Sequence, residues 1–362
     1  MIKSPQAHYI SNLRSAFQQQ ALGVYVGAGV SLANGIPSWD ELVLAMYFAA
    51  ISPQPMRGWH PYPNYLLAIA EWHLKQSREA LDITARKIQR YIKTSNEFLK
   101  VLRTTLYAGY VDADGNAIQP FESHALRFAN STLDAVARLC EKSVEGGSGV
   151  ASVITYNYDE LLEAALQDYP CQTFWKRSVV QPGKMPIYHV HGFVPLMGNR
   201  GSTTKEIVFT EEQYHLAAHN PYSWANLVQI QSMSRLVGLM IGLSLSDRNM
   251  RRLLDAIRQL PHRPENYILL QKPNSKKPSD MELDEIHLKA IEYREKFERS
   301  GIKRGGIKGE EWRQQIRGII GEVERLALDQ QTFVLHQLGI RPIWYSEHSE
   351  ISEFVDRILQ PS

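Results

Sequence analysis

Short, wholly apolar runs alternate along the chain with longer amphipathic ones. Leu22–Val26, Val153–Thr155, Ile187–Val190, Leu236–Gly242 and Tyr267–Leu270 are apolar or β-branched stretches of strand length. Runs without polar alternation fit strands buried on both faces of a parallel sheet. Leu236–Gly242 is the most apolar and is expected near the centre. Further strands are expected at 150–156, 173–175, 186–190, 206–209 and 341–345. Helical spacing puts Ile10, Leu13 and Phe17 on one face of a helix over 5–20. A strand at 22–27 follows, then a turn, then a helix from Trp39 to Ala49. Other helices are expected at 159–167, 221–234, 247–259 and 350–359, with Thr210 and Asp247 as N-caps.

Two segments interrupt this βα rhythm. Residues 51–63 hold Pro53, Pro55, Pro61 and Pro63 and read as an irregular connection. From 64 to 142 the pattern is helical, with Leu66, Ala70 and Leu74, then Leu81, Ala85, Ile88 and Ile92, then Leu126, Leu133, Val136 and Leu139. Tyr110–Gln119 reads as a surface turn inside it, and Gly146–Gly149 as a flexible return to the sheet. Residues 274–330 are charge-rich and read as helices over 281–299 and 310–335 around a Gly301–Gly309 hinge, with solvated faces. The fold class is therefore α/β, a Rossmann-like doubly wound parallel sheet spanning 1–362, with a helical insertion subdomain at 51–145 and a charged helical insertion at 274–336.

Composition narrows the function classes. The 362 residues are 44% apolar and 22% charged, ordinary for a globular protein. A formal charge of +2 gives no bulk attraction to nucleic acid or membranes, so direct nucleic-acid binding is not expected. No apolar run approaches a membrane span, and Met1–Gln20 lacks the apolar core of a signal peptide. The two cysteines, Cys140 and Cys171, fit reduced thiols in a cytoplasm and rule out a four-cysteine zinc site within this sequence.

Three stretches carry candidate chemistry. Gly27-Ala28-Gly29-Val30-Ser31 follows the first strand. Glycines let backbone N–H groups approach a ligand, and a helix starting just beyond would favour phosphate. The turn is neither a G-x-G-x-x-G fingerprint, since Leu32 stands at its last position, nor a P-loop. Thr155-Tyr156-Asn157-Tyr158-Asp159 and His189-Val190-His191-Gly192 end two later strands, where a parallel sheet delivers side chains to its carboxyl edge. On residues alone, Asn157 could be a turn asparagine, Asp159 a helix cap, and either histidine a core residue.

In this order the three stretches, with Gly35-Ile36-Pro37 and Gly242-Leu243-Ser244, resemble the sirtuin family. The resemblance implies NAD as substrate. It implies that Gly27, Ala28, Gly29, Ser31 and Pro37 meet the phosphate and ribose side, and that Asn157 grips the nicotinamide ribose and orients water. It further implies that Asp159 contacts the nicotinamide amide, that His191 is the general base, and that Gly242 and Ser244 lie by the adenosine, with Asp247 either capping a helix or meeting a ribose hydroxyl. Tyr345 reads as core packing. The zinc cysteines of deacylating sirtuins are missing, and Ser38-Trp39-Asp40 replaces their Asp-Phe-Arg. The Gly-Ile-Pro-Ser-Trp form is similar to bacterial sirtuin-like proteins that consume NAD in anti-phage defence. The expectation is thus an NAD hydrolase without zinc, cytoplasmic, homo-oligomeric, and dependent on a separately encoded ATPase or nuclease, because little sequence follows residue 345. Its rivals are a protein deacylase or ADP-ribosyltransferase, a cyclase, and a silent NAD or ADP-ribose sensor.

Overall fold

The computed structural model describes residues 5–51, 64–110, 131–141, 148–197, 201–273, 278–299 and 312–360. The proline-rich connection after 51, most of the Tyr110–Gln119 turn, Leu126, Gly146-Gly147 and the Gly301–Gly309 hinge lie outside these residues. Described elements run α1 (Pro5–Gln18), β1 (Leu22–Val26), α2 (Trp39–Ile51), α3 (Asn64–Ser77), α4 (Leu81–Tyr91), α5 (Ser95–Leu106), α6 (Thr132–Glu141) and β2 (Val150–Thr155). They continue with α7 (Leu161–Ala165), β3 (Cys171–Phe174), β4 (Met185–His189), α8 (Glu211–His219), α9 (Trp224–Arg235) and β5 (Val237–Ile241). The last are α10 (Arg248–Arg258), β6 (Asn266–Gln271), α11 (Asp280–Arg299), α12 (Trp312–Gln337), β7 (Ile340–Tyr345) and α13 (Ser349–Leu359).

The strands form one seven-stranded sheet in the order β3-β4-β2-β1-β5-β6-β7. Each registered pair from β3 through β6 is parallel. The chain leaves β1 toward β2 on one side and returns to β5 on the other. The boundary between β1 and β5 is therefore the reversal point where open α/β sheets form a ligand crevice. Central burial explains the apolar runs: all five residues of β1 are buried, as are the last four of β5. The Tyr25 hydroxyl, buried in this core, is paired, donating to Ser232 Oγ at 2.8 Å.

Helices lie against the sheet and against one another, with α13 packed on α1 and α6, and α9 on α10. The helical stretch between β1 and β2 shares the main core through Ala85, Ile88, Phe98, Leu102, Leu133 and Val136. Leu44, Ala70 and Leu74 form a small cluster of their own. The described chain divides into two compact units, Met1–Leu270 with Leu338–Ser362, and Gln271–Gln337. In the second unit α11 and α12 pair through Arg313–Asp284 and Arg317–Asp280, both at 2.7 Å, and His287 stacks on Trp312. Exposed pairs of this kind are screened by solvent and contribute little to stability. No helix among the described residues is long and apolar enough to cross a membrane.

Two local expectations differ from the structure. Residues 206–209 are irregular rather than a strand. Ile207 and Phe209 are buried, but the neighbour is the loop after β4, and the segment gains single bonds instead of a ladder: Val208 N–H donates to His191 O at 2.8 Å, and Tyr158 Oη to Val208 O at 2.6 Å. No helix opens directly behind the glycine turn either. Two single 3-10 turns, Ala28–Val30 and Leu32–Asn34, come first, and α2 begins only at Trp39. Gly35, at φ +85°, and Pro37 redirect the chain between them.

Candidate active site

The glycine turn is fastened to the end of β5 by backbone alone. Gly27 N–H donates to Ile241 O and Gly29 N–H to Gly242 O, both at 3.0 Å. A Cβ on Gly27 would overlap the Gly242 carbonyl oxygen, one on Gly29 would lie 2.8 Å from Gly242 Cα, and one on Gly242 would lie 2.6 Å from Val30 N. The glycines are thus required for two loops to touch across the β1–β5 boundary. The same closeness consumes donors. Val30 and Ser31 N–H groups also bond within the turn, and of its five N–H groups only that of Ala28 has no partner among the described residues. The turn therefore keeps one unspent N–H for a ligand, that of Ala28. Pro37 and Trp39 follow, both half-buried, and the Trp39 ring meets Phe209 at 6.3 Å. Its indole Nε1 is buried without a partner among the described residues.

β2 ends at Thr155, and the next residues fold over the glycine turn. Tyr156 N–H bonds Val26 O at 3.0 Å, and Asn157 N–H bonds Thr155 Oγ1 at 3.1 Å. The Asn157 side chain donates from Nδ2 to Gly27 O and to Ser31 Oγ, each at 3.2 Å. Ser31 in turn donates to Asp159 Oδ1 at 3.1 Å, and the same oxygen accepts Leu161 N–H at 3.1 Å. Asp159 thus accepts the first N–H of α7, whose N-cap position is Glu160, and is joined to Asn157 through Ser31. Ser31 is 2% exposed, and its hydroxyl is used on both sides. Asn157 has both amide hydrogens engaged, and Oδ1 is its remaining polar atom.

His189 and His191 stand two residues apart at the end of β4, and the structure gives them different surroundings. His189 is fully buried, with Nδ1 3.0 Å from Asn157 O and Nε2 2.7 Å from Glu163 Oε1. One ring nitrogen faces a carbonyl and the other a carboxylate, an arrangement that suits the doubly protonated ring. Burial works against that charge, but Glu163 outweighs it and holds the His189 pKa above its ordinary value. His189 therefore fixes the Asn157 backbone from below. His191 instead brings Nε2 to 3.1 Å from Asp247 Oδ2. Its ring meets Tyr156 edge-on at 5.1 Å and Tyr214 at 5.5 Å. Gly192 follows with φ +104°, and a Cβ there would lie 3.0 Å from Glu206 O and Ile207 Cα, so the His-Gly pair reflects close backbone approach as well as chemistry.

Other groups at this edge were not legible beforehand. Tyr214 sits on α8, which a capping box of Thr210 and Gln213 starts and which Glu212 ties to Arg86 and Arg90 of α4 at 3.5 and 3.2 Å. Glu163 and Glu160 lie beside Asp159. Burial pushes the Asp159 carboxyl up to about 6, against the Leu161 N–H and the His189 charge, and pushes Glu160 up to about 7, against the Leu196 N–H. The only advance signal for these groups was the concentration of acids over 159–163. A carboxyl with a raised folded value binds its proton more tightly folded than unfolded. Its stabilising effect is full below the ordinary carboxylate range and is lost as pH rises through the folded value. Stability should thus decline as pH rises through about 6 and about 7, and Asp159→Asn should flatten the lower part of that decline; thermal denaturation across this range checks it.

At the β5 end, Gly242 has φ +68° and contacts the glycine turn. Ser244 is exposed, with its hydroxyl 2.8 Å from that of Ser246. Asp247 caps α10, accepting Met250 N–H at 2.6 Å. Burial alone would raise its carboxyl, but His191 and the N–H groups of Met250 and Asn249 hold it below the usual range. Cys140 is buried and Cys171 half-buried, and the two form no disulfide. The described residues contain no cluster of three or more histidine, cysteine or acidic side chains able to hold a metal.

Asn157, Ser31, Gly27 and Asp159 are thus joined by hydrogen bonds at one edge. Asn157 and His191 each lie two residues past the registered pair Thr155–His189, so adjacent strands deliver them together. Ser244 does not join this cluster through any described hydrogen bond. No curated protein matches the chain. Residues 151–292, which take in β2 to β6 and both the Asn157 and His191 motifs but not the glycine turn, match the family model of the SIR2-like domain. That match rests on a parallel Rossmann-like sheet, and over residues 151–292 the chain is similar to the SIR2-like domain, a family of NAD-dependent enzymes.

Proposed function

We propose that the chain hydrolyses NAD to nicotinamide and ADP-ribose. The observation that carries this reading is the Asn157 side chain. Its two hydrogens are spent on Gly27 O and Ser31 Oγ, so Oδ1 is set as a fixed acceptor beside the β1–β5 crevice, with His191 on the neighbouring strand end. A fixed acceptor can hold a ribose hydroxyl or a water without reorganising during the reaction. As the bond between nicotinamide and ribose breaks, its electron pair passes to the nicotinamide nitrogen and positive charge develops at the anomeric carbon, as in glycoside cleavage. Water then forms the new C–O bond and gives its proton to His191. Ala28 N–H offers a phosphate contact, Asp159 a partner for the nicotinamide amide, and Trp39, Tyr156 and Tyr214 an aromatic wall that limits water.

The resemblance to NAD-consuming bacterial proteins extends this to NAD depletion in anti-phage defence, with activity restrained in an oligomer or by a separately encoded partner. The test is purified protein with NAD and no acylated peptide. The expected products are equal amounts of nicotinamide and ADP-ribose, and the same assay on extracts of infected cells reads the defence role. Nicotinamide release only with an acyl-lysine peptide would instead identify a deacylase. Transfer of ADP-ribose to protein would identify a transferase, and saturable binding without products a sensor.

A further inference from the structure

The sequence offers Asp247 two roles, helix cap or ribose ligand, and the structure supplies a third. Its Oδ1 accepts Met250 N–H at 2.6 Å, and its Oδ2 lies 3.1 Å from His191 Nε2. Oδ2 is buried, makes no hydrogen bond among the described residues, and faces the His191 ring as an ion pair. The His191 ring is held edge-on by Tyr156 from the end of β2 and by Tyr214 from α8. Tyr156 is itself anchored, its hydroxyl donating to Gln229 Oε1 at 2.6 Å. Nδ1 of His191 has no partner among the described residues, whereas both nitrogens of His189 are engaged. In a neutral imidazole one nitrogen carries the proton and the other the lone pair, and the bond made by the first selects which.

We propose that Asp247 is a positioning residue: it takes the Nε2–H of His191, leaves the lone pair on Nδ1, and stabilises the imidazolium formed when Nδ1 accepts a proton. This rests on the reading of His191 as the base for NAD cleavage. In this role the carboxylate does not touch substrate. It acts by fixing tautomer and ring orientation, as a buried carboxylate does for a catalytic histidine in unrelated hydrolases. Its rigidity comes from capping α10, and its position from a loop whose first residue, Gly242, contacts the glycine turn. The charged or titratable groups facing His191 are Asp247, Tyr156 and Tyr214. Burial holds both tyrosines above their ordinary values, so they stay neutral.

Asp247→Asn and Asp247→Ser test this, since either residue can still cap α10. Two readouts are needed. Nitrogen NMR of the labelled imidazole should show Nε2–H and bare Nδ1 for His191 in the unsubstituted protein, and a mixture of tautomers in both variants. This readout needs no activity, so it stands even if NAD is not cleaved. Steady-state cleavage should show kcat lowered by about 100-fold or more, with KM for NAD within about twofold. An unchanged tautomer overturns the proposal. So does a raised KM with kcat intact, which would make Asp247 a ribose ligand. No cleavage by the unsubstituted protein, together with the expected tautomers, would overturn the hydrolase reading and leave the pairing established.

Discussion

Asn157→Ala is expected to lower NAD cleavage by about 1,000-fold, the scale on which one fixed polar group at a developing charge acts. The substitution removes Oδ1, which the hydrolysis reading uses to hold the ribose hydroxyl or the water. It also removes the two donations to Gly27 O and Ser31 Oγ, leaving the buried Ser31 Oγ without its Asn157 donor and Gly27 O with the Val30 N–H alone. The second loss should cost about 1–3 kcal/mol of stability. Asn157→Asp separates the two effects. It keeps an acceptor at Oδ1 but replaces both donors, and it sets a second carboxylate beside the Ser31–Asp159 pair. It should therefore lose activity while raising the proton affinity of this acidic cluster further. Nicotinamide release, measured alongside denaturant unfolding, distinguishes these results. Full activity in Asn157→Ala would remove the residue from the chemistry altogether.

Gly27→Ala is expected to destabilise the protein by about 3 kcal/mol, at the upper end of overpacking costs, and to weaken NAD binding at least tenfold. The added methyl would meet the Gly242 carbonyl oxygen and lie 2.6 Å from Leu243 Cδ2. The first is backbone and cannot rotate away, so the turn and the end of β5 must separate. That separation breaks Gly27 N–H to Ile241 O and Gly29 N–H to Gly242 O, and moves the Gly27 carbonyl that orients Asn157. Gly109→Ala is the control, since nothing lies within 4 Å of a Cβ there. It should leave binding unchanged and alter stability by less than about 1 kcal/mol. Calorimetric titration with NAD and denaturant unfolding measure both. Equal behaviour of the two variants would mean that the turn tolerates the separation and that its glycines are not what shapes the crevice.

Local information carried much of the architecture. Wholly apolar runs such as Leu22–Val26 and Val237–Ile241 became the central strands because a strand buried on both faces needs no polar alternation. Thr210 and Asp247 became caps because their oxygens satisfy N–H groups three residues on, a demand met within one turn. Polar residues immediately after β2 and β4 were legible as an edge for the same reason: strand ends are set locally, and parallel strands present the same end to one side.

What the tertiary structure decided was which distant groups meet. Residues 206–209 have the composition of a strand, but a strand needs a partner edge, and the chain placed a loop there. His189 and His191 are indistinguishable by alternation, since both lie on one face of an extended run. Glu163 closes the one and Asp247 closes the other, and only the order β3-β4-β2-β1-β5 brings those carboxylates to them. Nor could the glycine turn show that most of its N–H groups are already spent on β5 and on itself. Periodicity and capping are short-range and written in neighbouring residues. Protonation, tautomer and free donors depend on contacts between segments far apart in the chain, which exist only once the sheet has assembled.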